Sequence, residues 1–161
     1  MTHNFTFFYG SNSPFSNWYM CPFVHHNREY NCSEQYMMYQ KARLFKDTDV
    51  AEMIMEQAHP RKQKFLGRQV RDYDDAIWMA ECENIMVSGL VSKFMQNSYC
   101  LQTMLDSGDT ILVEASPTDK IWGIGLSADD PRALDQATWQ GKNLLGKVLM
   151  KARNEICSGK H

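Results

Sequence analysis

The chain has 161 residues, 43% hydrophobic and 22% charged, with a formal net charge of −2. That length and composition fit one soluble globular domain with a sizeable core, expected to span 1–161. The charge balance excludes a global pull toward nucleic acid or anionic membranes, so any polyanion site must be local, and no apolar run approaches the ~20 residues of a membrane span.

In chain order, "TFFYG" and "CPFVHHNREYN" read as short extended segments around turns at "GSNSP" and "HHNRE". Ser33 reads as the N-cap of a helix running to about Phe45. Asp47 or Thr48 caps a second helix with Val50, Met53, Ile54 and Gln57 on one face. Pro60 suits the first turn of a third helix that stops at Gly67. Asp74 or Asp75 starts the longest helix, to about residue 97, with a stripe of Ile77, Ala80, Asn84, Val87, Val91 and Phe94. A short helix over 99–106 ends before Gly108. "TILVEA" and "KIWGIGL" read as strands flanking the turn "SPTD", and a final helix over 142–157 buries Leu145, Val148, Leu149 and Ala152. The expected class is helix-rich α+β with one small antiparallel sheet, not a βαβ alternation.

"MTHNFTFFYGSNSP" lacks the basic region and long apolar core of a signal peptide. Cys21, Cys32, Cys82, Cys100 and Cys157 are scattered singly, which suggests reduced thiols in a cytoplasmic or nuclear setting. The same scatter argues against a structural zinc site. His25 and His26 read as turn residues, His59 precedes a proline, and His3 and His161 are terminal. No metal and no cofactor is expected.

Three features could carry chemistry. On the first helix, "YNCSEQYMMYQKARLF", seven steps bring Lys41 to within about 20° of Glu34, roughly 10 Å along the axis, with Met37 and Met38 between. Structurally, Glu34 complements the helix dipole and Lys41 snorkels over the core. Functionally, a desolvated glutamate is a general acid/base and a lysine of lowered pKa is a nucleophile. The second feature is the basic run "PRKQKFLGRQVR", with Arg61, Lys62, Lys64, Arg68 and Arg71: either a solvated face or a phosphate clamp, with Arg68 the residue expected to reach inward. The third combines "DKIWGIGL" with "WQGKNLLG". Gly123 and Gly125 permit close backbone approach, Trp122 and Trp139 could stack on a base, and Asn143 sits at a helix start that could meet an anion. Ser16 and Asn17 in "FSNWY" form a polar notch between aromatics.

Ordered landmarks give these features a common context: "FSNWY" with "PF" following, "SEQYMMYQKARLF", "LGRQV", Trp78, "KFMQN", "LVEAS" with "DKIWGIGL", and "WQGKNLLG" with a later "LM" and Arg153. Together the pattern, Phe7 to Arg153, resembles the NADAR domain family, also called YbiA-like. The resemblance implies a compact α+β domain that cleaves N-glycosidic bonds of ribose phosphates. Members are associated with removing ADP-ribose from guanine in nucleic acid, and others hydrolyse a ribosylaminopyrimidine phosphate of the riboflavin pathway. It implies Glu34 and Lys41 as catalytic residues, and Asn17, Arg68, Trp78, Asp119, Trp122, Gly123, Gly125 and Asn143 as pocket residues.

Two departures stand out. Many members carry histidine directly after the glutamate, where this chain has Gln35. The stretch between "WGIGL" and "WQGKNLLG" is longer than in the riboflavin-type branch, which tilts the expectation toward ADP-ribose or ADP-ribosylated nucleic acid as substrate. A non-catalytic module binding ADP-ribose or NAD is the alternative of another class. No protein partner is implied.

Overall fold

A computed structural model describes residues 4–159, so His3 and His161 lie outside the described residues. The chain runs β1 (Phe5–Phe8), β2 (Phe23–His25), β3 (Arg28–Tyr30), α1 (Ser33–Leu44), α2 (Thr48–Glu56), α3 (Pro60–Gly67), α4 (Asp75–Gln96), α5 (Ser98–Asp106), β4 (Ile111–Glu114) and α6 (Leu144–Ser158). Short 3₁₀ turns at Pro131–Leu134 and Gln136–Thr138 precede α6. The class is helix-rich α+β.

α1 is the central element. It packs against α2, α3 and α4, and every residue from Ser33 to Tyr39 is buried. Ser33 is the first helical residue and not the cap: extended Cys32 precedes it, and Ser33 Oγ is buried without a partner. The opening turn is held from outside, by Asn17 O accepting from Glu34 N–H at 2.9 Å. This places the "FSNWY" loop against the helix end that carries Glu34.

The other caps follow local chemistry. Asp47 accepts from Val50 N–H at the start of α2 and from the Arg71 backbone and guanidinium. Asp74 accepts from Ile77 N–H at the start of α4, and His59 Nδ1 accepts from Arg61 N–H ahead of Pro60. Each satisfies helix-end N–H groups that lack an intrahelical partner. On α2, Ala51 and Ile54 are buried while Met53 is largely exposed.

The longest helix occupies its expected span, and its buried face keeps Val87 and Phe94 of the expected stripe but shifts over the first turns. Trp78, Cys82, Met86, Val87, Leu90 and Phe94 face inward, whereas Ile77, Ala80 and Asn84 are exposed. A stripe drawn through the polar Asn84 is out of phase with the buried face over the first two turns. Lys93, on the inward face, is fully buried and donates to Pro14 O at 2.7 Å and Ser16 O at 3.2 Å. It ties the "FSNWY" loop to α4.

The sheet differs from the expected hairpin. The described residues form two two-stranded sheets. β1 pairs in parallel with β4, Phe5 opposite Ile111 through Phe8 opposite Glu114. β2 and β3 form an antiparallel hairpin closed by His26 (φ 47°) and Asn27 (φ 65°), the left-handed pair of a two-residue hairpin turn. "KIWGIGL" is not a strand. Asp119 Oδ1 takes the N–H groups of Ile121 and Trp122, and Gly125 adopts φ +71°. The carbonyls of Lys120, Gly123 and Ile124 accept from the N–H groups of Lys142, Asn143 and Gln140, so this loop pairs with the approach to α6.

The main core lies between α1, α4 and α6, and Val113, Ile124, Leu126 and Ala133 form a smaller cluster under the 120–139 loops. No helix among the described residues is long and apolar enough to cross a membrane.

Candidate active site

A cleft of about 880 Å³ opens over α1, within the ordinary range for a small-molecule site. Its walls come from the 9–18 loop, the inner side of α1, one side of α3, the start of α4, the end of β4 and the 116–122 loop. A second hollow, about 670 Å³, beside His25, Ser88 and Lys151 shares no lining residue with it.

Glu34 and Lys41 both line the cleft, and Met37 and Met38 between them form its apolar floor. Glu34 is only 3% exposed. Burial pushes its carboxyl up from 4.5 to about 7; Lys64, the Trp18 indole donor and Lys41 pull the other way, while Asp119 adds repulsion. Burial likewise lowers the Lys41 ammonium from its usual value, assisted by Arg68 and opposed by Glu34 and Asp75. Lys41 Nζ lies over the Tyr73 ring, 4.4 Å from its centre. No ion pair joins Glu34 to Lys41 among the described residues. The two groups therefore face one space without neutralising each other at contact.

The basic run divides. Lys64 and Arg68, four residues apart on α3 and its end, line the cleft. Arg61 and Lys62 are exposed and do not. Arg71 is committed to Asp47, at 3.0 Å. Gly67 explains the close seat of α3: a Cβ there would collide with Met38.

Ser16, Asn17, Trp78, Asp119 and Trp122 also line the cleft. Asn17 Oδ1 is buried and unpartnered, an acceptor waiting at the wall. Gly123, Gly125 and Asn143 stand behind the wall. Gly123 fits against Asp119 O and Glu114 O, where a Cβ would crowd both. Asn143, at φ 53°, donates through Nδ2 to Leu112 O and accepts through Oδ1 from Glu114 N–H, so it clamps β4 to α6 and does not line the cleft. Trp139 packs on the smaller cluster and donates to Ala133 O.

Several cleft residues are not among those singled out from the sequence. Glu114, ending β4, is pushed up from 4.5 to about 7 by burial, then by Asp119 and Glu34. Tyr73 and Trp18 complete the aromatic walls. Among the described residues, no group of three or more His, Cys, Asp or Glu is placed to hold a metal ion.

The chain as a whole has relatives. The model of the NADAR domain matches residues 7–157. The chain belongs to the NADAR domain family. N-glycosidase R617 of Acanthamoeba polyphaga mimivirus is 42% identical over 165 residues, covering 96% of this chain and 97% of that protein. Riboflavin biosynthesis protein VVA0006 of Vibrio vulnificus is 27% identical over 141 residues, covering 88% of this chain and 35% of that protein. The NMR structure of YbiA from E. coli superposes with a TM-score of 0.79 at 26% identity, covering 99% of this chain and 89% of the other. The fold of this NADAR chain is thus YbiA-like.

Proposed function

We propose that the chain, acting as one domain, is an N-glycosyl hydrolase that removes ADP-ribose from guanine bases of nucleic acid. The observation that carries this reading is the pair on α1: a buried Glu34 near neutrality and a Lys41 of lowered basicity, facing one cleft across a methionine floor. The name of the mimiviral relative supports the bond type. Lys64 and Arg68 offer charge for a diphosphate, and Trp18, Trp78 and Trp122 offer ring faces for a base.

The chemistry follows from the substrate's exocyclic amine. A ribose C1′ bound to such a nitrogen can open its ring to an imine. The neutral Lys41 amine attacks C1′, displaces the base amine and leaves a Schiff base that water hydrolyses. Glu34 exchanges protons with the departing amine and the incoming water. A ribose lying between the two side chains fills the roughly 10 Å that separates their positions along the helix.

The reading is tested by incubating the protein with a guanine-ADP-ribosylated oligonucleotide and following free ADP-ribose, beside Glu34→Ala and Lys41→Ala. Release by the wild type and loss in both variants is expected. No release from folded protein contradicts it. The Vibrio relative's name favours a second reading, hydrolysis of a ribosylaminopyrimidine phosphate, which shares the exocyclic amine. Binding of ADP-ribose without turnover of either substrate would leave a binding module.

A further inference from the structure

Glu114 is the last residue of β4, and its backbone is fixed on both sides. Its N–H donates to Asn143 Oδ1 at 3.0 Å, and its carbonyl accepts from Ile124 N–H at 3.0 Å. Its side chain lines the cleft with Glu34 and Asp119, and Oε2 is buried with no hydrogen-bond partner. Other acids of the fold have structural work. Asp47 caps α2 and holds Arg71, and Asp119 gathers the N–H groups of Ile121 and Trp122. The Glu114 carboxyl caps no helix and joins no ion pair among the described residues. A buried acceptor left unsatisfied costs stability, whereas its acid form is a donor available to a ligand.

The charged groups facing Glu114 are Asp119 from the 116–122 loop, Glu34 from α1 and Lys64 from α3. Glu34 has more support for its anion: Lys64, the Trp18 indole, Lys41 and the first turn of α1. When the pair holds one proton, that proton therefore resides mainly on Glu114.

We propose that Glu114 is the second proton-transfer carboxyl of the cleft, acting as acid to Glu34's base on a ribosyl group whose C1′ bears an exocyclic amine. This rests on the N-glycosidase reading above. As the C1′–O4′ bond breaks, its electron pair passes to O4′, which takes the Glu114 proton while the amine lone pair closes C1′=N. Lys41 adds to C1′, its surplus proton passes to the base nitrogen, and the C1′–base bond breaks to release the amine. Water adds to the resulting lysine iminium and gives a proton to Glu34. The carbinolamine hydroxyl proton moves to the lysine nitrogen, Lys41 departs, and the aldehyde recloses to ribose. Proton exchange from Glu34 to Glu114 restores the start, and no redox step is involved.

The test combines kinetics with side-chain NMR of ¹³C-glutamate-labelled protein. On the guanine-ADP-ribosylated oligonucleotide, Glu114→Gln is expected to lower kcat at least ~100-fold with little change in KM, and Glu114→Asp to recover part of it. The wild-type kcat falls as pH rises past neutrality, and that limb disappears in Glu114→Gln. A Glu114→Gln rate within about threefold of wild type, with the limb intact, overturns the assignment. If wild type releases no ADP-ribose, the substrate reading fails and the NMR arm still decides the pair. Glu114 is expected to titrate at lower pH in Glu34→Gln than in wild type, and identical curves overturn the pairing. Should Glu114→Gln not fold, Glu114 titrating in the ordinary carboxyl range in wild type overturns it.

Discussion

Lys41 Nζ sits 4.4 Å from the centre of the Tyr73 ring, so one face of the ammonium meets an aromatic lid in place of water. The ring attracts a cation, by about 0.5–1 kcal/mol at exposed sites, yet it also excludes solvent, and burial is the larger influence on Lys41. Tyr73→Phe should leave the pH dependence of turnover unchanged. Tyr73→Ala re-exposes the amine, raises its pKa and moves the rising limb of the pH–rate profile to higher pH. A pH–rate series on the two variants checks this, and an unmoved profile in Tyr73→Ala would show that the lid does not set Lys41's basicity.

The buried carboxyl sets a stability trend as well. Glu34 rises from 4.5 to about 7 on folding, so the folded state holds its proton more tightly than the unfolded chain. The stabilisation is fully present below 4.5 and is lost as pH rises through about 7. At 1.36 kcal/mol per pH unit the loss is on the order of 3 kcal/mol. Chemical denaturation should show higher stability at pH 5 than at pH 8, with the slope reduced in Glu34→Gln. That variant should be more stable than wild type at pH 8 and, on the proposed function, lack activity.

Position on α3 separates the cations of the basic run. Lys64→Ala and Arg68→Ala should each raise KM for a diphosphate-bearing substrate about tenfold or more, with smaller effects on kcat. Arg61→Ala and Lys62→Ala, which lie outside the cleft, should change KM for free nucleotide less than about twofold. For an oligonucleotide substrate, rising salt should weaken binding more than for the free nucleotide, and equal salt slopes would argue against a nucleic-acid groove.

Asn143 acts through the backbone of β4. Its side chain satisfies Leu112 O and Glu114 N–H inside the core, so Asn143→Ala strands two buried groups at a cost of roughly 2–4 kcal/mol. Thermal unfolding should show that loss, with kcat falling because Glu114 is displaced and KM moving little. A stable Asn143→Ala protein with a raised KM would instead make Asn143 a binding residue.

What the sequence made legible was local chemistry. Asp47, Asp74 and Pro60 mark helix starts because capping is settled within a few residues. Glu34 and Lys41 stood out because a helix converts seven-residue spacing into a shared face. Long-range relations were not legible. The cap of α1 comes from Asn17, the partner of β4 is β1, and Lys93 reaches carbonyls seventy-seven or more positions away. "KIWGIGL" has the composition of a strand, but the Asp119 side chain and Gly125 bend it into a loop. Glu114 escaped notice because its environment exists only once the end of β4 meets Glu34 and Asp119 across the cleft.

The central claim is that Lys41 forms a bond with C1′, and borohydride trapping tests it most directly. Protein turning over a guanine-ADP-ribosylated oligonucleotide is quenched with borohydride, and its peptides are mapped by mass. The expected result is a reduced ADP-ribosyl adduct on the Lys41 peptide of wild type and none on Lys41→Ala. Absence of the adduct together with near-normal turnover by Lys41→Ala would contradict it and leave hydrolysis to the carboxyls alone.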